Sequence, residues 1–229
     1  MNDALEKAGH VPHQVEPALL DRISNSIRPS LRPVHPLPPT WVLASGLVLI
    51  CAALGLAGAA RAGFYGIERM VLSERVLIFS TLGILAWIAA REFVSEWIPG
   101  SRRRFTPSML LTILSAALLT VFAILFRDYH TNHFVSVGVV CLFTGLLHAI
   151  PAGLLGWLVL RKGLAVDSVS AGVVGGALAG LAGVAMLELH CPNFEALHVL
   201  FWHTAVVPAS AALGGAVGLA LRKRSRFSS

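Results

Sequence analysis

Apolar residues recur along this chain in six blocks parted by short polar connections, at 41–60, 76–90, 108–126, 134–160, 168–187 and 197–221. An α-helix needs about twenty apolar residues to cross a hydrocarbon core roughly 30 Å thick. The second block is shorter, but Arg75 and Arg91 bracket it. The stems of such arginines run along apolar surface and bring their charge to the interface. Pro151 and Pro208 fall inside the fourth and sixth blocks and predict kinks there. The pattern predicts an all-α membrane protein, a six-transmembrane-helix bundle with both ends of the chain on one side.

Residues 1–40 are polar and proline-rich, which argues against a cleavable signal peptide at the start. Within them Leu19, Leu20, Ile23 and Ile27 share the spacing that lines one side of a short helix. A helix of about three turns is marginal alone, so the stripe is a candidate for binding a partner or the bilayer surface. A flexible tail with nascent helix is the plainer alternative. Residues 28–39 hold five prolines, which forbid helix and favour an extended rod between the tail helix and the membrane.

Composition agrees with the membrane reading: 55% of residues are hydrophobic, 13% are charged, and the mean hydropathy is +0.73. The net charge of +6 would suit nucleic acid if the basic residues shared a face, but they sit at block ends. Fourteen of the eighteen lie in the N-terminal tail, the second–third and fourth–fifth connections and the C-terminal tail. Only Arg61, Arg69, Arg75 and Arg127 lie in the alternate connections. That bias places both termini in the cytoplasm and gives the charge to orientation rather than DNA. Gly172, Gly176 and Gly180 recur at four-residue spacing in the fifth block, with Gly175 and Gly183 nearby, and Gly214 and Gly218 repeat the device in the sixth. Such spacing lets helix backbones approach within one bundle; homodimerisation through the same faces is the alternative.

The chemistry-bearing residues gather towards the other side. His130, His133, His190, His198, His203, Cys141 and Cys191 lie in or near the third–fourth and fifth–sixth connections. Cys141 falls roughly two turns into its block, and His203 over a turn deeper than His198. Thiolate and imidazole are ligands for zinc, copper(I) and other soft metals. The two cysteines could instead pair as a disulfide in an oxidising compartment, given Cα atoms within about 7 Å. The plain alternative makes the histidines interfacial helix-end residues and Cys141 core packing. Cys51, mid-block, reads as a small hydrophobe. Glu188 and Asp167 fall at block ends, where a charge reaches water easily.

Enzyme motifs are absent: there is no GxSxG, HExxH or Walker A loop, no paired intramembrane aspartates and no CxxC pair. The sequence thus predicts no enzyme and no resident cofactor, with transient heavy-metal binding open. The rival function is a small transporter or channel for a metal or other solute. It would call for mid-membrane carboxylates or interrupted helices in related halves, and neither stands out.

Several stretches together resemble a known family: Leu31-Arg32-Pro33-Val34-His35-Pro36-Leu37-Pro38-Pro39 in the tail, Pro99-Gly100 after the second block, a cysteine in the fourth, and Cys191-Pro192 followed by His198-Val199-Leu200-Phe201-Trp202-His203. Over nearly the whole chain they resemble the NrsF family of bacterial inner-membrane anti-sigma factors. The resemblance implies that the cytoplasmic tail holds an extracytoplasmic-function sigma factor inactive, with no direct contact to nucleic acid. It also implies that two outward-facing cysteines, matched by Cys141 and Cys191, help trigger release under stress such as heavy metal. Cys51 matches neither position. The histidine-and-cysteine zinc motif of soluble anti-sigma domains is missing, so no zinc-bound grip on the sigma factor follows.

Overall fold

The computed structural model describes residues 17–27, 37–98, 100–130, 134–162 and 167–227. Two compact units make up the chain, 1–37 and 38–229. The first contains helix α1, Pro17–Ile27, with Leu19, Leu20 and Ile23 exposed on it. The side chain of Ile27, most of the proline-rich rod and His133 lie outside the described residues.

The second unit is helical, with no β-strand among the described residues. It comprises α2 (Thr40–Ala62), a short α3 (Tyr65–Arg69), α4 (Leu72–Trp97), α5 (Pro107–Leu125), α6 (Phe134–Lys162) and α7 (Ser168–His190). A final span joins α8 (Ala196–His198), a π-helical turn (Val199–His203) and α9 (Thr204–Phe227). Six of these helices are long and apolar enough to cross a membrane. Leu49, Val140, Phe143 and Leu147 are each more than three-fifths exposed. In water a surface of that kind would drive association; in a bilayer it is the solvated face.

Local chemistry sets the helix ends. Thr106 accepts a hydrogen bond from Met109 N–H (3.2 Å) ahead of Pro107 at the first helical position of α5. Asp167 accepts from Val169 N–H (3.1 Å) to open α7. Helix α4 outruns the apolar block 76–90 at both ends because the polar residues it takes in are satisfied within the fold. Glu74 accepts from Val71 N–H (2.9 Å) at its start. Near its end Glu92 accepts from the backbone N–H of Arg104 (3.1 Å) and Phe105 (3.4 Å). Buried Glu96 accepts from Ser170 Oγ (3.0 Å) and pairs with Arg103 at 3.1 Å.

Helix α7 is the centre of the bundle. A helix apolar all round must be surrounded, and α7 packs against α2, α4, α6 and α9 with nearly every residue from Ser170 to Glu188 buried. Its small residues make that packing close. A Cβ on Gly172 would strike the carbonyl of Gly214, one on Gly176 that of Ser210, and one on Gly218 that of Ser168. Ser168 Oγ also donates to Gly218 O at 3.0 Å. The glycine faces are therefore occupied within one chain, which takes them away from a homodimer.

Candidate functional site

The C-terminal end of α7 is held from three directions. Cys191 follows its last residue, and the Cys191 N–H donates to Leu187 O at 2.7 Å. Helix α3 lies against this end so closely that a Cβ on Gly66 would meet the carbonyls of Glu188 and Cys191. His190 Nδ1 bonds Gly63 O at 3.1 Å, and Arg69 donates to Pro192 O at 3.3 Å. On the other side Phe126 stacks on Phe194 with centroids 5.4 Å apart, and Ala196 N–H donates to Asp128 O.

Onto this frame α6 brings Cys141 with glycines three residues before and four after it, on the same face. Gly138 lies against Trp202, and Gly145 against Leu187 and Val206, while the carbonyl of Gly145 abuts Gly183. The approach sets Cys141 Sγ 3.5 Å from Cys191 Sγ, and both thiols are free. His198 places Nε2 3.6 Å from Cys191 Sγ. Five residues on an ideal α-helix end up about 140° apart, so a regular turn would send His203 to another face. The π turn over Val199–His203, with its wider i→i+5 spacing, carries it round instead. The rings of His198 and His203 meet edge to face with centroids 5.2 Å apart. One donor atom from each of Cys141, Cys191, His198 and His203 lies within 4.8 Å of all the others.

Glu188 completes the cluster. It is fully buried, and its Oε1 lies 2.6 Å from His203 Nδ1. A carboxylate oxygen accepts, so the imidazole donates through Nδ1. That leaves His203 Nε2 buried without a hydrogen-bond partner among the described residues, along with His198 Nδ1 and Glu188 Oε2. Two thiols in contact can be oxidised to a disulfide, and two sulfurs beside two imidazoles can hold a soft metal ion. The arrangement offers both chemistries and excludes hard, oxygen-seeking cations.

The structure thus sorts the sequence candidates. It brings Cys141, Cys191, His198 and His203 together and leaves His130 and His190 out. His130 is exposed and paired with Asp128, whose carboxylate raises the imidazole's pKa as its own is lowered. His190 turns its ring nitrogen to the carbonyl of Gly63 at the end of α2, and Cys51 is buried in α2. Glu188 corrects the sequence reading: it was expected to reach water from a helix end, yet burial and His203 claim it. Its only sequence signal was position, since it precedes the end of α7 rather than following it.

A second polar cluster sits at the opposite end of α7. There Arg103 Nη1 donates to Ser170 Oγ at 2.9 Å beside Glu96, tying α4, the α4–α5 connection and α7 together. An apolar groove of about 360 Å³ opens between α6, α7 and α9, and no charged side chain lines it among the described residues.

Six membrane-length helices, with α7 central among them and a buried thiol–imidazole cluster at its end, define a polytopic helical membrane protein. The family model NrsF, described as "Negative regulator of sigma F", matches residues 27–223, and the chain belongs to that family. It is therefore a negative regulator of a sigma factor. The match takes in all six long helices and every residue of the cluster. No curated protein and no solved structure matches the chain.

Proposed function

We propose that this protein is a membrane anti-sigma factor that sequesters an extracytoplasmic-function sigma factor at the bacterial inner membrane and releases it under stress sensed at Cys141 and Cys191. The observation that carries the reading is the 3.5 Å contact between those two thiols in a cluster shielded by the bundle. The basic residues support the orientation, with the thiol end outward and both termini in the cytoplasm. The exposed Leu19, Leu20 and Ile23 of α1 support a sigma-binding stripe, Ile27 continuing the spacing in sequence.

The output follows from rigid coupling. Helix α7 is buried along its length and carries the thiol cluster at one end and the Glu96–Arg103–Ser170 cluster at the other. A change of bonding at the thiols shifts α6, α7 and the final span together, and that shift alters presentation of the tail. Near-complete switching of a two-state bundle needs about 5.5 kcal/mol of differential binding. Several metal–ligand bonds supply that; one surface hydrogen bond does not.

The test is sigma-dependent transcription under a soft metal such as cadmium, with Cys141→Ser and Cys191→Ser. Each variant is expected to keep basal repression and lose the induced rise; an unchanged rise would remove the thiols from the mechanism. The small transporter or channel is the rival. The groove argues against an ion path because no charged residue lines it among the described residues. Solute flux in reconstituted vesicles, abolished by His203→Ala, would favour that rival.

A further inference from the structure

We infer that Cys141, Cys191, His198 and His203 form a four-ligand site for a divalent metal ion of the zinc class, with Glu188 as the carboxylate that orients His203. As a regulatory statement this rests on the sensor reading above; as a binding site it stands alone.

The donor spacing is the first argument. Tetrahedral coordination with bonds of about 2.3 Å to sulfur and 2.0–2.1 Å to nitrogen sets ligand atoms roughly 3.3–3.8 Å apart. The Cys141–Cys191 pair at 3.5 Å and the Cys191–His198 pair at 3.6 Å meet that spacing. All four donor atoms lie within 4.8 Å of one another, so small rotations of side chains close the shell. A disulfide needs more: the sulfurs must approach to about 2.05 Å with a fixed dihedral angle.

The second argument is the Glu188–His203 pair. Metal-bound histidines usually donate their other ring N–H to a carboxylate or carbonyl, which fixes tautomer and ring direction. Here His203 Nδ1 bonds Glu188 at 2.6 Å, and the far nitrogen, Nε2, is buried without a hydrogen-bond partner among the described residues. A neutral imidazole in that tautomer presents a lone pair at Nε2. Left unpaired, such an atom is a standing cost to the fold; a metal ion removes it.

Charge is the third. On binding, the ion displaces one proton from each thiol, and both protons leave to solvent. Two thiolates neutralise a divalent cation, so the four-ligand shell adds no net charge to the low-dielectric bundle, and the Glu188 carboxylate hydrogen-bonded to His203 remains a formal charge beside it. Four protein ligands leave no open coordination position, which makes this a holding site rather than a catalytic one.

The experiment uses the full chain in detergent or nanodiscs, reduced and stripped of metal. Zinc is titrated against a chromophoric chelator, and cobalt(II) serves as the spectroscopic probe. One ion per chain is expected, with tetrahedral cobalt bands and a thiolate-to-cobalt charge-transfer band. Cys191→Ser, His198→Ala and His203→Ala are expected to abolish the tetrahedral spectrum. Glu188→Gln should bind about 10–100-fold more weakly and keep it. His130→Ala and His190→Ala should bind as the wild type does, and circular dichroism shows which variants retain the helical fold. No stoichiometric binding by reduced wild type would overturn the proposal, as would full binding by the folded His198→Ala and His203→Ala variants. Cysteine-dependent sigma release by a chain that binds no metal in the titration would sink the site and spare the sensor reading. Metal binding without any effect on release would do the reverse.

Discussion

His130 and His203 share a side chain and little else. His130 stands in the open beside Asp128, which holds its imidazole above the ordinary pKa while the Asp128 carboxyl is pushed down. Both groups are charged between those two shifted values. The histidine's share of the contact is complete below its unperturbed pKa of about 6.5 and is lost as pH rises through the raised one. The aspartate's share is lost as pH falls through its lowered value. In Asp128→Asn the titration midpoint of His130, followed by NMR, is expected to drop toward about 6.5. An unmoved midpoint would show that Asp128 is not the cause. His203, by contrast, is sealed in and bonded to Glu188. The sequence placed both cysteines at one end of the bundle because connection charges and block order were enough. It could not pair His198 with His203, since that needs the π turn, nor bury Glu188, since that needs His203 to have come round.

Among the elements, α7 and α9 stand or fall on their glycines. Gly176 and Gly214 face backbone across the helix contact, with no flexible side chain to yield. Gly176→Leu and Gly214→Leu are each expected to destabilise the bundle by at least about 1–3 kcal/mol, the usual cost of overpacking. Gly46 and Gly83 lie within α2 and α4 with nothing within 4 Å of where a Cβ would sit. Alanine at either should leave stability unchanged or raise it by up to about 1 kcal/mol. Thermal unfolding midpoints in one detergent check both statements; equal tolerance at Gly214 and Gly83 would contradict the packing account. Four-residue glycine spacing made this contact visible in the sequence. The true length of α4 was hidden, because Glu92 and Glu96 look like the end of a span until Arg103, Ser170 and two backbone N–H groups are seen to satisfy them.

Across the whole molecule, α7 joins two polar clusters through an apolar bundle. From Ser170 to Glu188 its axis covers about 27 Å at 1.5 Å per residue, most of a hydrocarbon core. The six-helix architecture was legible from apolar blocks alone, because length and hydropathy set what lipid accepts. Family membership rests on the match over residues 27–223, which makes the chain a negative regulator of a sigma factor. On the proposed mechanism the tail stripe is the output, so replacing Leu20 and Ile23 by Asp should free the sigma factor without stress. The most direct measurement is the partition of the cognate sigma factor between membrane and soluble fractions of cells making the full chain. The sigma factor is expected to sediment with the membranes in unstressed cells, to become soluble within minutes of a soft-metal pulse, and to stay membrane-bound after the pulse in Cys141→Ser. A sigma factor that is soluble before the pulse, or that leaves the membrane equally in wild type and Cys141→Ser, would contradict it.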